Sequence, residues 1–209
     1  MRISSVLKAF TCALALQAAA GPAMAADGES PWLVRLRLID VAPQESSTVS
    51  IGGEAEVNSS VVPELDITYF WSKNVATELI LATTKHDVSA KGTALGNLSL
   101  GDTWVLPPTL LMQYHFNPEG GVKPYVGAGV NYTFFYNADP GDVASIDYEN
   151  GFGVALQAGV DFRIKDNWYF NVDAKKLWLN TDVSINGGGV TADVDLDPWV
   201  LGVGFGYRF

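Results

Sequence analysis

The chain has 209 residues, 23 of them acidic and 13 basic, for a formal net charge of −10 at neutral pH. A nucleic-acid partner needs a basic surface to meet its phosphates, so this balance excludes one. Beyond the first 25 residues no apolar run reaches the 18 that suggest a membrane helix. The sole cysteine, Cys12, also lies within those 25, so no thiol or disulfide chemistry is expected of the remainder.

At the start of the chain, Arg2 and Lys8 lead into an apolar stretch from Ala9 to Ala20, which Gly21-Pro22 breaks. Ala23-Met24-Ala25 then gives a small-x-small cleavage pattern, so residues 1–25 are expected to be an export signal and 26–209 the mature domain. Arg2 and Lys8 would leave with it, so 11 basic residues face 23 acidic ones, a net of −12.

The mature chain has period two from one end to the other. Trp32 to Val41 sets Trp32, Val34, Leu36 and Leu38 against Arg35 and Arg37. Glu64 to Trp71 sets Leu65, Ile67, Tyr69 and Trp71 against Glu64, Asp66, Thr68 and Phe70, and Lys73-Asn74 turns the chain into Val75 to Asp87. Thr109 to Phe116 alternates Leu110, Met112, Tyr114 and Phe116 with Thr109, Leu111, Gln113 and His115. After the turn-rich "NPEGGVKP", Val126, Ala128, Val130, Tyr132 and Phe134 oppose Gly127, Gly129, Asn131 and Thr133. Leu156 to Ile164 opposes Gln157, Gly159, Asp161 and Arg163, "KDN" turns into Trp168 to Asn180, and "NGGG" precedes the last strand. That strand carries Trp199, Leu201, Val203, Phe205, Tyr207 and Phe209 on one face, and mostly glycine on the other.

Eight runs result, with a large apolar face on each. Connections after Trp71, Phe116 and Ile164 are short, whereas those around 43–61, 88–106, 136–147 and 183–192 are long. A soluble barrel would hide its large apolar residues inside. Here the opposite parity carries the charges, so the expected fold is all-β: an eight-stranded antiparallel up-and-down transmembrane barrel. Short turns face the periplasm in such barrels and long loops face outside. The expected location is the outer membrane, with lipid and lipopolysaccharide around a monomer.

Several stretches resemble the OmpW family of small outer-membrane barrels: "NVATELILATTKHDV" (74–88), "PPTLLMQYHF" (107–116), "KPYVGAGVNYTFF" (123–135), "DNWYFNVDAKKLWLNTDV" (166–183) and "LDPWVLGVGFGYRF" (196–209). The resemblance implies a hydrophobic lumen that takes up small apolar solutes, with lateral exit into the membrane. It also implies an apolar constriction of a leucine and a tryptophan. The leucine's place falls on Ile80, and the tryptophan's on Lys175, which departs from the family. Resemblance to outer-membrane barrels in general makes Phe209 part of a C-terminal signal read by the barrel-assembly machinery.

Parity points Arg35, Arg37, Asp66, Glu78, Asp161, Arg163, Asp173, Lys175 and Arg208 inward, in the half nearer the short turns. Buried charges persist only when paired, and eight strands enclose little more than side chains. The layer therefore reads as a cross-linked plug, with an ion-selective passage as its rival. Towards the loops, Ile80, Leu111 and Leu177 share the inward parity, as a hydrophobic channel or as plain core. Glycines such as Gly127 and Gly129 could leave room in the lumen or serve tight packing. Asp193, Asp195 and Asp197 alternate and are expected to form a solvated acidic face, with cation sharing with lipopolysaccharide as the alternative. His86 and His115 lack metal-ligand spacing. No catalytic, cofactor or metal residue is expected, and a sealed receptor-like barrel or a narrow ion pore stand as alternatives to solute uptake.

Overall fold

The computed structural model describes residues 30–94 and 96–209; the expected export signal, 1–25, lies outside them. In chain order the strands are β1 (Trp32–Ala42), β2 (Ser46–Val49), β3 (Glu54–Val57), β4 (Ser60–Phe70) and β5 (Val75–Ala82). Next come β6 (Thr84–Thr93), β7 (Gly96–Leu106), β8 (Thr109–His115), β9 (Val122–Asp139) and β10 (Ile146–Tyr148). The last are β11 (Gly151–Lys165), β12 (Trp168–Trp178), β13 (Asn180–Ile185), β14 (Val190–Asp195) and β15 (Trp199–Arg208).

Eight of these close a ring. Going round it, β1 pairs with β4, then β5, β8, β9, β11, β12 and β15, and β15 pairs back with β1, every pair antiparallel. A closed ring leaves no unpaired edge in lipid, where an unsatisfied backbone group would cost several kcal/mol. The seam between first and last strands is tied by Leu33↔Arg208 through Ala42↔Trp199.

The alternation read from the sequence is the alternation of burial. Along β1, Leu33, Arg35, Arg37 and Ile39 are buried while Leu36 and Leu38 are exposed, and β8 repeats the pattern with Leu111, Gln113 and His115 inside. Leucines such as Leu36, 62% exposed beside an Arg35 at 0%, face lipid rather than a core. Aromatic rings rim the wall at two heights. Trp32, Tyr69 and Trp71 stack edge-on at 4.7 and 4.8 Å near the short turns, as do Trp168, Tyr207 and Phe209 at 5.1 and 5.2 Å. Tyr132 meets Phe134 and Phe152 at 4.7 and 4.6 Å towards the loops. Amphipathic rings settle at the two bilayer interfaces, so these belts mark the wall's span.

Above the wall the structure departs from the sequence reading. The long connections are sheets: β10, β13, β14 and β2 form one, and β3, β6 and β7 extend another from β9. The run expected from Val75 to Asp87 is broken at Thr83, where the chain leaves the barrel for that extension. Their inner faces pack Ala55, Val88, Leu100, Ile146, Val183 and Ile185 into an apolar cluster over the lumen. Gly127 and Gly129 leave no spare room either. A Cβ at Gly129 would collide with the Leu110 carbonyl, and one at Gly127 would lie 2.8 Å from Gln157 Oε1.

Candidate functional site

The inward face of the wall is built in two storeys. In the lower one Arg35 and Arg37 project from β1 opposite Asp66 and Glu64 of β4. Arg35 grips Asp161 with two bonds, Nε to Oδ1 at 3.0 Å and Nη2 to Oδ2 at 2.7 Å, and reaches Glu78 Oε1 with Nη1 at 2.8 Å. Arg37 reaches Glu64 at 3.1 Å, Asp66 at 3.1 Å, Glu78 at 3.0 Å and Asp173 at 3.3 Å. Lys175 Nζ lies 2.7 Å from Glu64 Oε1 and 3.0 Å from Asp173 Oδ1. Gln113 and Gln157 both donate to Glu78 Oε2, and Tyr125 donates to Asp173 Oδ2. Side chains from β1, β4, β5, β8, β9, β11 and β12 thus meet across the lumen. The remaining strand, β15, offers glycines: a Cβ at Gly206 would crowd Arg35 Cγ, and one at Gly202 would crowd Ile39 Cγ2.

Arg35, Arg37, Asp66, Glu78, Asp161, Asp173 and Lys175 therefore come together as expected. Arg163 and Arg208 do not join them. Arg163 is exposed beside the irregularity in β11 and donates to the Tyr169 hydroxyl at 3.3 Å. Arg208 donates to the Ser30 carbonyl at 2.8 Å, with its guanidinium 4.3 Å above Phe70. Glu64, Gln113, Gln157, Tyr125 and Asn171 join this layer although the sequence did not single them out for it. Glu64 was within reach, since it shares the parity of Asp66 and faces Arg37. His115 is buried against Phe70, Tyr125 and Gln113.

The upper storey is apolar. Ile39, Ile80, Leu111, Ala155, Leu177, Leu179 and Val200 pack together above the charges. Over them, beneath the loop sheets, lies a cavity of about 150 Å³. Ile80 and Leu177 line it; Leu111 is buried in the packing below and does not reach the cavity wall. Glu64 and Lys175 also line it, giving the cavity a charged floor. On the wall, Thr103 Oγ1 and the Tyr148 hydroxyl are buried with no hydrogen-bond partner. Burial, with Asp102 nearby, pushes the Tyr148 hydroxyl well above its ordinary value. His86, on the same wall, is held through Nδ1 by the Asn58 carbonyl at 2.8 Å and through Nε2 by Thr84 Oγ1 at 2.9 Å. Burial holds its imidazole below the usual histidine value, against the smaller opposing pull of the Asn58 carbonyl and Asp87.

The three alternating aspartates do not stay in one row. Asp193 and Asp195 are exposed on β14, but Asp197 adopts φ 31° and its carboxylate accepts the Leu179 N–H at 3.0 Å. Among the described residues no group of histidines, cysteines and carboxylates is arranged to hold a metal.

A closed antiparallel ring with a lipid-facing apolar outside, aromatic belts and a charge-braced lumen defines a small outer-membrane β-barrel protein. More narrowly, the chain belongs to the OmpW family, whose profile matches residues 28–209. It is 38% identical to the outer-membrane protein y4mB of Sinorhizobium fredii, over 96% of this chain and 92% of that one. It is 30% identical to the dibenzothiophene metabolism operon protein PahQ of Pseudomonas aeruginosa, over 87% and 90%. Among solved structures, the outer membrane protein OprG of Pseudomonas aeruginosa superposes with a TM-score of 0.81 at 31% identity, covering 87% of this chain and 97% of that one.

Proposed function

We propose that the barrel admits small hydrophobic compounds from outside the cell into the upper cavity and releases them sideways into the outer membrane. The observation that carries this is the stacking of an apolar cavity directly on a filled charged layer. An apolar solute in the cavity has no axial way down, because passing Arg35, Arg37 and Lys175 means breaking buried pairs, each worth several kcal/mol once uncompensated. The name of the related PahQ, tied to dibenzothiophene metabolism, supports a small apolar solute.

Sideways release is supported by the wall itself. The β5–β8 ladder ends at Ile80↔Thr109. Just above, Pro107 and Pro108 carry no N–H with which to continue it, and Ala82 and Pro107 both line the cavity. The barrel would act as a monomer, contacting lipid and lipopolysaccharide and inserted by the barrel-assembly machinery.

Ile80→Asp tests the reading. It places an unpaired carboxylate on the cavity wall without altering the lipid face. Cells producing it should take up a small hydrocarbon no faster than cells lacking the barrel, with folded barrel at normal levels on heat-modifiability gels. Wild-type uptake in a well-folded Ile80→Asp barrel would place the route elsewhere.

A further inference from the structure

The floor of the cavity is polar although its walls are not. Glu64 and Lys175 line it while being 3% and 2% exposed, so both are desolvated apart from what the cavity holds. Lys175 spends two of an ammonium's three N–H directions on Glu64 and Asp173. Among the described residues, the hydrogen bonds to the Glu64 side chain go to Oε1, from Arg37 and Lys175, which leaves Oε2 open to a further donor. One donor and one acceptor therefore stand side by side beneath an apolar chamber.

We propose that the cavity selects small uncharged molecules bearing one hydroxyl on an apolar body, with the hydroxyl seated on this floor. It would donate to Glu64 Oε2 and accept the third N–H of Lys175, while the body lies against Ile80 and Leu177. This deepens the uptake reading above and rests on it. The size is set by the cavity: about 150 Å³, comparable to the roughly 150 Å³ of an apolar protein cavity that takes up benzene.

The charge class follows from the neighbours. Arg37 and Lys175 already face Glu64, Asp66, Glu78 and Asp173, so a carboxylate would add to an acidic excess away from water. An ammonium would lie beside the Lys175 charge with one open acceptor, too few to replace its hydration. A neutral hydroxyl escapes both costs. A hydrocarbon of equal size would leave both floor groups unanswered. The unpartnered Thr103 and Tyr148 hydroxyls on the wall are other places a polar group could go, but a bond to a charged partner is roughly twice as strong as one between neutral groups.

The test is a ¹⁹F NMR titration of the purified barrel in lipid nanodiscs, corrected against empty nanodiscs, with four probes built on one fluorophenyl ring. Fluorobenzene, 4-fluorophenol, 4-fluorobenzoate and 4-fluorobenzylamine differ only in the group offered to the floor. The phenol should bind roughly tenfold or more tightly than fluorobenzene, the scale of a hydrogen bond to a charged group, and the two ions more weakly than either. Lys175→Met should collapse the phenol-to-fluorobenzene ratio towards one, whereas Thr103→Val should leave it in place. Equal binding of phenol and fluorobenzene overturns the inference and leaves the uptake reading standing. So does a preference for either ion, or a ratio that answers to Thr103→Val instead of Lys175→Met. Binding of none of the four, together with uptake no greater than in cells without the barrel, overturns both readings. The wild-type ratio decides even if the Lys175 variant folds poorly.

Discussion

Arg35 and Arg163 share a charge and an inward parity in the sequence, yet only Arg35 is fixed from both sides of the lumen. Removing Arg35 leaves Glu78 and Asp161 buried and short of a cation, so Arg35→Met should destabilise the barrel by about 3–5 kcal/mol. Arg163→Ala, at an exposed site, should stay within about 0.5 kcal/mol. Urea unfolding in lipid vesicles, followed by tryptophan fluorescence, measures both, and equal losses would contradict the network described. Parity could place these residues inside but could not tell them apart, because separation along the barrel axis depends on strand stagger. Parity pointed Lys175 inward; that it would share a cavity floor with Glu64 was not legible. A second residue-scale expectation concerns His86, whose imidazole is held below its ordinary value by burial. Opening the β6–β7 hairpin restores an ordinary value near 6.5, so the open form binds more protons than the closed one below that pH. The contribution of His86 to hairpin stability is therefore full above about 6.5 and is lost as pH falls through the lowered folded value. The protection of β6 amides, taken relative to the intrinsic exchange rate at each pH, should fall on acidification, and His86→Gln should flatten that dependence; an unchanged profile would contradict it.

Each wall strand announced itself through alternation, and lipid made the pattern sharper than in a soluble sheet, because a charge at an outward position in mid-membrane is costly. The loop sheets were not announced. Beside local hairpins such as β6–β7 and β13–β14, they hold pairs far apart in the chain, β2 pairing with β14 through Val49↔Ala192 and Ser46↔Asp195, and no local period encodes such a pairing. At the seam the sequence signal was glycine. Gly204 lies opposite Arg37, and a Cβ there would collide with the Leu36 carbonyl, whereas at Gly189 the nearest atom would be 3.6 Å away. Gly204→Ala should cost about 1–3 kcal/mol as overpacking against backbone and reduce folded barrel, and Gly189→Ala should do neither. Comparable yields from the two would mean that β1 and β15 separate more readily than their register implies. Phe209 closes the same seam, its N–H donating to the Trp32 carbonyl at 3.1 Å and its ring against Tyr207. If it also carries the assembly signal, Phe209→Asp should lower folded barrel while export across the inner membrane continues.

At the scale of the whole molecule the proposed function divides the work between the two storeys, the lower one bracing the wall and the upper one accepting solute. An eight-stranded ring has room for one layer of side chains, and in that reading the layer from Glu78 to Asp173 closes the axial path for ions with the same groups that keep the ring together. This makes conductance and uptake separable. Replacing Arg37 and Glu78 together by Ser removes a cation and a carboxylate at once, limits the charge left unpaired, and opens space along the axis for water. In planar bilayers the double variant should conduct ions more than the wild type does, while hydrophobic uptake by cells should not rise with it, because apolar solute gains nothing from a hydrated axis. If conductance and uptake rose together, solute would be passing down the axis and the sideways route would be wrong. If the wild type already conducted as much as the variant, the layer would be a passage rather than a brace.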